Sequence, residues 1–351
     1  MTGRSLITGA GSAFASSASQ SALWEGFFDE HFSHRRAGAA AFASAGIETR
    51  HAAVNPLEED ISTWSTGARM ERYGTEALPI AAAALSDAMK RAGTDPSEIG
   101  MLAVVSCTGY TTPGVDVQLA DRLGMSTGLE RLLVGHAGCH AAMPGLAAVT
   151  DFASSRGRPA ALVCVELPSL HLQPRTTDID QIVSHALFSD AAAAVIVEPH
   201  GGGRPGSLEL VDVAARSDVA AANDLTWTIT DLGFRMTVSR RVPAAIAAAS
   251  APLVDDLLAR NGLRRGDVDA WAAHPGGPRI LHAIESALDL DEEALSITRR
   301  VLSGHGNCSS ATILVILDAV HEALGSQPGQ HVIALAFGPG LTVYGALLRT
   351  T

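Results

Sequence analysis

The sequence is poor in basic residues, and this limits the partners that the protein can bind. Its 351 residues include 25 lysines and arginines against 37 aspartates and glutamates, which gives a formal net charge of −12. Binding to a nucleic-acid backbone requires clustered lysine and arginine side chains. A nucleic-acid partner is therefore not expected, and a negatively charged small substrate needs a local basic patch against the overall field.

Paired cysteines and long apolar runs are also missing. The four cysteines, Cys107, Cys139, Cys164 and Cys308, form no CxxC pair, so neither a disulfide framework nor a zinc ribbon is predicted. No apolar run of about 18 residues is visible, and no membrane span is expected. The start, MTGRSLITGAGSAFASSASQ, is interpreted as a strand and turn and not as a signal peptide. Together these features favour a reduced, cytoplasmic setting.

The sequence does contain an alternation of strand and helix patterns that occurs twice. The first half reads as the helix LPIAAAALSDAMKRAG, the strand MLAVVSCTG, the helix CHAAMPGLAAVTDFASSRG, and the strands AALVCVEL and ALFSDAAAAVIVEP. The second half repeats the order with VDAWAAHPGGP, GNCSSATILVILDAVHEALG, HVIALAFGPG and LTVYGALLRT. We predict an α/β fold of two duplicated halves, 1–200 and 201–351, joined by PHGGGRPGS from Pro199 to Ser207.

Cys139 lies between two histidines in VGHAGCHAAMPGL and has three interpretations. His136 and His140 are four residues apart, which suits two metal ligands on a helix, but HAG resembles a loop and no fourth ligand is nearby. A buried structural thiol, as expected for Cys164, is the second interpretation. A nucleophile is favoured, because Cys139 follows a loop and opens a helix, whose N-terminus stabilises a thiolate.

A nucleophilic cysteine needs a base and a donor for the oxyanion. His274 ends a strand in AAHPGGPRIL, and Asn307 begins a helix in GHGNCSSAT, at the position that corresponds to Cys139 in the other half. Taken singly, His274 could be a turn histidine and Asn307 a helix N-cap. In a duplicated α/β fold such strand and helix ends meet at one place, so the sequence predicts a Cys-His-Asn site.

At these residues the sequence resembles the type III polyketide synthases, the branch of the thiolase fold that includes chalcone synthase. The resemblance covers nearly the whole chain. Its motifs are GCHAAMPGL, HALFSDAAAAVIV, TDLGFRMTVSRRVP, HPGGPRIL, GNCSSA and FGPGLT. The run GHAGCHAAMPGL…VELPSLHLQP is most similar to actinobacterial and mycobacterial members. The resemblance implies a five-layered αβαβα thiolase fold, usually a homodimer, without a metal or a bound organic cofactor.

The resemblance also implies roles for individual residues. Cys139 corresponds to the nucleophile that takes the starter acyl group from coenzyme A, and His274 to its base. His274 and Asn307 correspond to the donors that hold the malonyl thioester oxygen. Phe188 corresponds to the aromatic gate between the coenzyme A tunnel and the cavity. Pro113 corresponds to a proline that follows a cis bond, so Thr112–Pro113 is expected to be cis and to border the partner subunit's cavity.

Further positions are implied for the substrate cavity and for coenzyme A. The residues expected to line the cavity are Cys107, Thr108, Ser169, Leu170, Trp227, Met236, Ser309, Gly338 and Pro339. Basic residues that could bind the phosphates of coenzyme A are sparse, and they are Arg69, Arg72 and Arg279. An acyl carrier protein is therefore considered as an alternative donor of the starter.

The sequence thus predicts an acyltransferase that loads an acyl starter on Cys139, extends it with malonyl-CoA and cyclises the product. A fatty acyl starter is favoured, with an alkylpyrone or alkylresorcinol as product. Three alternatives stay open at this point. They are a small aromatic synthase primed by malonyl-CoA, a β-ketoacyl synthase that condenses once, and a non-catalytic partner subunit of the same fold.

Overall fold

The computed structural model describes residues 5–200 and 206–351. Its strands are β1 (Ser5–Phe14), β2 (Ser16–Ser19), β3 (Thr49–Ala52), β4 (Met101–Ser106), β5 (Glu130–Gly135), β6 (Ala160–Glu166), β7 (Ala191–Pro199), β8 (Leu208–Ser217), β9 (Leu225–Thr230), β10 (Gly233–Val238), β11 (Ala270–Ala273), β12 (His331–Gly338) and β13 (Thr342–Thr350). Its α-helices are α1 (Gln20–Leu23), α2 (Asp29–His31), α3 (Arg36–Ala43), α4 (Thr66–Ala92), α5 (Val115–Arg122), α6 (Ala142–Arg156), α7 (Ile179–Leu187), α8 (Val242–Arg260), α9 (Pro278–Leu288), α10 (Ser296–His305) and α11 (Ala311–Leu324).

Nine of these strands form one mixed sheet in the order β11-β12-β13-β8-β1-β7-β6-β4-β5. Strands β4 and β6 are parallel, and β7 and β1 follow in antiparallel orientation. Strands β11, β12, β13 and β8 repeat the same pattern from the other end. The halves join where Leu6 and Ile7 of β1 pair with β8. The predicted duplication of the fold is therefore confirmed by the topology.

The boundary predicted at 200/201 falls in the connection, most of which, residues 201–205, lies outside the described residues. Strand β7 ends at Pro199 and β8 begins at Leu208. The two domain ranges stay a prediction.

Alternate residues along each central strand face different helices, and this creates five layers. In β6, Leu162 and Cys164 pack in a core with α6 and α11, whereas Ala161 and Val163 pack against α4. Strand β12 behaves likewise: its even-numbered residues join the same central core, and its odd-numbered residues face α8 and α9. Since side chains alternate across a sheet, each half-sheet is covered on both faces. This is the five-layered arrangement that the resemblance implied.

By length and composition alone, one of the described helices, α8, could cross a membrane. Its residues Ile246, Val254 and Leu257 are buried in the outer core with α9 and β13. A core helix needs such an apolar face, so packing accounts for the composition of α8.

Two element boundaries differ from the predicted ones near the site. The strand predicted to begin at Ala186 begins at Ala191, because α7 continues through Leu187. The helix predicted to begin at Cys139 begins at Ala142. As a result, Cys139 lies in a short irregular segment before α6, and Phe188 lies in another between α7 and β7.

Candidate active site

Cys139 lies in a turn between β5 and α6. Gly138 adopts φ +82°, and a Cβ atom there would come within 2.3 Å of Cδ of Pro339. Only glycine allows this close approach without strain. The turn continues with a hydrogen bond of 2.9 Å from Ala141 N to Gly138 O. Since His136 lies in the loop before this turn, with φ 58°, it shares no helix face with His140, and the metal interpretation loses its geometric basis.

The thiol of Cys139 is buried beside a hydroxyl. Its Sγ lies 3.6 Å from Oγ of Ser309. Burial raises the pKa of Cys139 to about 12, the Ser309 hydrogen bond opposes this shift, and the charge of Glu166 adds to it. Burial therefore acts against the thiolate that the helix start was expected to stabilise, and the activated thiolate of Cys139 stays a prediction. Helix α6 begins three residues later, and burial outweighs the contribution of its N-terminus.

His274 follows β11 and keeps both ring nitrogens free. Its backbone N donates to Leu335 O at 2.7 Å, which continues the pairing of β11 with β12. Both ring nitrogens are buried and make no hydrogen bond within the described residues. The ring of Phe337 meets the imidazole edge-on at 5.3 Å. Burial, and then the nearby His140, lower the pKa of His274 to about 3, so the lone imidazole is neutral at physiological pH.

Asn307 is held from its backbone and from its side chain. Its N donates to Leu187 O and its O accepts from Ser189 N, both at 2.9 Å, so that Asn307 and Phe188 form a parallel bridge. Its Oδ1 accepts a hydrogen bond of 2.9 Å from Ser309 N. The side chain thus caps the turn before α11, while its Nδ2 makes no hydrogen bond to any residue of the described ranges.

Contacts through neighbouring residues connect Cys139 to Asn307 and place the segment after β12 against His274 and against the Cys139 turn. Ser309 contacts both the thiol of Cys139 and the amide of Asn307. On the other side, Phe337 packs on His274. The next residue, Gly338, lies so close to the turn that a Cβ atom would be 3.2 Å from Cys139 N and 2.7 Å from His140 Nδ1. Within the described residues, no hydrogen bond yet joins the imidazole to the thiol.

Glu166 is a buried carboxylate that the sequence reasoning missed. It ends β6 and accepts hydrogen bonds from Cys107 N at 3.0 Å and Thr108 Oγ1 at 2.7 Å. Its other oxygen accepts from Ser309 Oγ at 3.4 Å and Ser310 Oγ at 2.5 Å. Burial raises the pKa of Glu166, and these donors oppose the shift. An acidic residue at the end of the apolar strand AALVCVEL was the available signal, because buried carboxylates need such partners.

A cavity opens beside Cys139 and contains most of the predicted substrate positions. The space between its lining atoms, including the part that is open to solvent, is about 350 Å³. Besides Cys139, its lining residues are Cys107, Thr108, His136, Gly138, Phe188, Trp227, Met236, Ser309 and Pro339. Neither His274 nor Asn307 is among its lining residues.

A second, larger cavity lies behind the first. It encloses about 680 Å³, part of which is continuous with solvent, and shares Phe188, Trp227 and Met236 with the Cys139 cavity. Ser169 lines it as well. The predicted cavity residue Leu170, in contrast, is fully buried in the core with α4 and lines neither cavity. The prediction for Leu170 is corrected by this placement.

The three arginines proposed for coenzyme A have different surroundings. Arg69 is 0% exposed. Its guanidinium donates hydrogen bonds to four backbone carbonyls, those of Ile61, Ser62, Trp64 and Leu170. The predicted phosphate contact of Arg69 is therefore wrong: the residue is part of the core, where it satisfies carbonyl groups of a loop.

Arg72 and Arg279 lie nearer to the surface. Arg72 pairs with Glu76 at 2.7 Å and with Glu59 at 3.2 Å, so a phosphate would have to compete with two carboxylates. Arg279 is exposed in the first turn of α9, and no ion pair involves it among the described residues. The phosphate contact of Arg279 stays a prediction.

The peptide bond between Thr112 and Pro113 is cis, as the resemblance implied. The segment lies near β5, which forms the edge of the sheet. Tyr110 and Leu133 are exposed here, at 50% and 53%. The edge of the fold next to the cavity thus carries apolar side chains in contact with solvent.

The described residues thus include a cavity-lining thiol and an amide before equivalent helices of the two halves, and an imidazole after β11. Such groups suit an acyltransferase of the thiolase fold. Two family models match the chain: that of the N-terminal domain of chalcone and stilbene synthases over residues 53–201, and that of the C-terminal domain over residues 213–351. The chain therefore belongs to this family, the type III polyketide synthases. It is an acyltransferase that acts on coenzyme A thioesters, as the sequence predicted.

Two relatives and one solved structure show how similar the chain is to known proteins. The chain is 36% identical to 1,3,6,8-tetrahydroxynaphthalene synthase of Streptomyces peucetius subsp. caesius, over 87% of this chain and 81% of that protein. It is 32% identical to the alpha-pyrone synthesis polyketide synthase-like Pks18 of Mycobacterium tuberculosis, over 87% and 80%. Its fold is similar to the crystal structure of PKS-I from the brown alga Ectocarpus siliculosus, with a TM-score of 0.91, 27% identity and coverage of 100% and 99%.

Proposed function

We propose that Cys139, His274 and Asn307 perform the acyl transfer and condensation steps of this type III polyketide synthase. The observation that carries the proposal is that three groups keep unused chemistry near the ends of β5, β11 and α10. The thiol opens into a cavity, the imidazole has two free nitrogens, and the amide is oriented by Ser309 with its Nδ2 left over. A nucleophile, a base and an oxyanion donor are the groups that acyl transfer needs.

In the loading step, His274 takes the proton of Cys139. The resulting thiolate attacks the carbonyl carbon of an acyl-CoA, and the carbon–sulfur bond to coenzyme A breaks. The coenzyme A thiolate leaves and takes the proton back from His274. Burial opposes a single charge on either residue, but the proton transfer creates a neutral pair of opposite charges, whose mutual attraction offsets part of that cost.

In the condensation step, malonyl-CoA loses CO2 and the electron pair of the broken carbon–carbon bond forms an enolate. Its oxygen accepts hydrogen bonds from Asn307 Nδ2 and from the protonated nitrogen of His274. One such donor contributes about 2.7–4 kcal/mol in comparable oxyanion sites. The enolate carbon then attacks the acyl group on Cys139 and releases the thiolate, so the chain grows by two carbons.

Phe188 is proposed as the gate between the coenzyme A tunnel and the Cys139 cavity. Its side chain lines both cavities, and its backbone is bridged to Asn307. The aromatic ring thus forms part of the site in which the malonyl carboxylate would lie. An apolar wall there disfavours the charged carboxylate and favours the loss of neutral CO2.

The role of His274 predicts a pH profile for the alkylation of Cys139. In the wild-type protein, proton transfer to His274 makes thiolate available near neutral pH. In His274→Gln the base is absent, and burial holds the pKa of the thiol high. We expect the rate of iodoacetamide labelling, followed by peptide mass spectrometry, to rise at a distinctly higher pH in the variant. Identical profiles for the two proteins would remove His274 from the role of base.

For the starter, we propose a fatty acyl group whose tail occupies the second cavity. Apolar side chains line this cavity, among them Leu23, Phe28, Val54, Leu172 and Phe234. The relative Pks18 is named for alpha-pyrone synthesis, which agrees with such a starter. An alkylpyrone or alkylresorcinol would be the product.

A series of acyl-CoA starters from C4 to C16 tests this proposal. Each buried CH2 group contributes about 0.8 kcal/mol, which corresponds to about a fourfold lower apparent KM for each added carbon, until the cavity is full. Products are identified by mass spectrometry in the presence of malonyl-CoA. Loading from an acyl carrier protein thioester in the same assay tests the alternative donor. A KM that does not improve with chain length would contradict the fatty acyl starter.

A second candidate is an aromatic product made from malonyl-CoA alone. The identity of 36% to a tetrahydroxynaphthalene synthase favours it, as does the wall of Trp227 and Met236 that separates the two cavities. The assay without acyl-CoA decides between the candidates. A hydroxylated aromatic as the main product under that condition would replace the fatty acyl proposal.

We also propose that the protein forms a homodimer through the edge strand β5. We propose a cytoplasmic location as well. The support for the dimer is the row of exposed apolar residues, including Tyr110 and Leu133, beside the cis bond at Thr112–Pro113. Such an edge strand needs a cover to avoid unspecific pairing. Light scattering at micromolar concentration tests the dimer, and a monomeric mass would contradict it.

A further inference from the structure

The wall shared by the two cavities contains a hydrogen-bond donor without a partner. Trp227 lies on this wall, in the hairpin of β9 and β10, where it is paired with Met236. Its indole Nε1 is buried and makes no hydrogen bond within residues 5–200 and 206–351. A buried donor left unpaired destabilises the folded protein. Such a cost is explained when a ligand supplies the missing acceptor.

The indole ring is held firmly in this position. The rings of Phe188, His171 and Phe234 meet it edge-on, with centroids 6.0–6.2 Å away. Trp227 therefore has little freedom to turn its N–H towards another protein group.

Apart from Trp227 and Arg50, the polar groups of the larger cavity's wall make hydrogen bonds within the protein. His171 Nε2 lies 2.6 Å from Thr108 O, and its Nδ1 accepts from Phe234 N at 3.0 Å. The Nε2 group of Gln181 donates to Met236 O at 2.6 Å, and the hydroxyl of Ser184 donates to a carbonyl of its own helix. These donors are thus not available to a ligand.

Arg50 is the other residue of this wall with an unpaired donor, its Nε. Its guanidinium lies over the rings of Phe28 and Phe42, 5.6 and 5.5 Å from their centroids, and it donates to the carbonyls of His185 and Phe188. Aromatic faces compensate a buried cation in part. Trp227 lacks any such compensation for its N–H group.

We infer that Nε1 of Trp227 donates a hydrogen bond to a keto oxygen of the chain that grows on Cys139. Each extension adds one keto oxygen, and these oxygens are acceptors without a donor of their own. A saturated acyl tail has none. Because Trp227 borders the cavity of Cys139, the oxygen that it binds lies within a few carbons of the thioester. The inference rests on the proposed function of Cys139, and it holds for either starter.

The bond would make Trp227 a specificity-determining residue. It favours a chain with a keto group near the thioester over a saturated chain of the same length. It also holds that oxygen at one place on the wall, which limits the folding of the longer chain before cyclisation. Aromatic neighbours alone would not distinguish the two kinds of chain.

The test compares how two thioesters acylate Cys139, the N-acetylcysteamine esters of octanoate and of 3-oxooctanoate. Intact-protein mass spectrometry follows the acylation rates of the wild-type protein and of Trp227→Phe, which keeps an aromatic ring and removes the N–H. One neutral hydrogen bond corresponds to about a three- to tenfold effect. We expect the ratio of kcat/KM for the keto ester to that for the saturated ester to fall by this factor. Trp64→Phe, which removes an indole N–H from a tryptophan that lines neither cavity, is the matched control, and its ratio is expected to change less than twofold.

A second measurement does not depend on the folding of Trp227→Phe. The protein is labelled with 15N-tryptophan in the Cys139→Ala background, and the indole resonances of its four tryptophans are observed while each thioester is added. A downfield shift of one indole proton with the keto ester alone supports the hydrogen bond.

The outcomes separate the inference from the function on which it rests. If neither thioester acylates Cys139, the proposed role of Cys139 fails. If both acylate it, while the ratio in Trp227→Phe equals that of the wild type and no indole resonance responds selectively, the inference about Trp227 alone is overturned.

Discussion

Replacing Cys139 by alanine is expected to abolish every condensation product and to leave a measurable decarboxylation of malonyl-CoA. The thiol is the attachment point of the acyl chain, so its removal leaves nothing for the enolate to attack. Asn307 and His274, in contrast, keep their positions, because backbone bonds to Leu187, Ser189 and Leu335 hold them. Acetyl-CoA formation, measured by chromatography, reports decarboxylation, and mass spectrometry reports condensation.

Cys164→Ala is the matched control for this experiment. Cys164 is also fully buried, but it lies inside β6 and lines neither cavity. Its replacement removes a thiol of similar burial and is expected to leave condensation intact, apart from a moderate loss of stability. Condensation products from Cys139→Ala at the rate of this control would show that another group carries the chain.

Replacing Asn307 by aspartate is expected to remove decarboxylation itself, by about a hundred- to thousandfold in kcat. Aspartate keeps an oxygen for the hydrogen bond from Ser309 N, so the turn before α11 is preserved. It loses the Nδ2 donor and places a negative charge where the enolate oxygen would form. Asn307→Asp therefore removes the donor and keeps the helix cap, whereas Asn307→Ala would remove both.

A comparison of the Asn307 variants with each other and with Cys139→Ala completes this experiment. Thermal unfolding of Asn307→Asp and Asn307→Ala shows how much the cap contributes to stability. If Asn307→Asp decarboxylates malonyl-CoA as fast as Cys139→Ala does, Asn307 acts only as a cap, and the division of roles proposed for the site is wrong.

The duplicated α/β fold could be predicted from the sequence because its signals are local. Apolar runs in β4, β6, β11 and β12 recur in the same order in both halves, and each pattern depends only on neighbouring residues. The positions of Cys139, His274 and Asn307 next to the ends of such elements followed from the same patterns. Equivalent elements of duplicated halves meet at equivalent places, so their ends converge in any such fold.

The predictions that were wrong concerned the surroundings of side chains. Arg69 resembles a surface arginine in the sequence, yet loop carbonyls from four residues enclose its guanidinium. Leu170 is near Ser169 in the chain, but its side chain points into the core. Distant segments decide both cases, and no local pattern contains that information.

The charge state of the site was likewise decided by the tertiary structure. The helix start next to Cys139 predicted a lowered pKa, while the buried surroundings and Glu166 raise it. Residues that are 59 positions apart, Cys107 and Glu166, form a hydrogen bond through this fold. The sequence by itself determined the helices and strands beside which Cys139, His274 and Asn307 lie, because those patterns are local. Burial, unpaired donors such as Trp227 Nε1 and the shapes of the cavities depend on how distant side chains pack, and only the folded structure determines them.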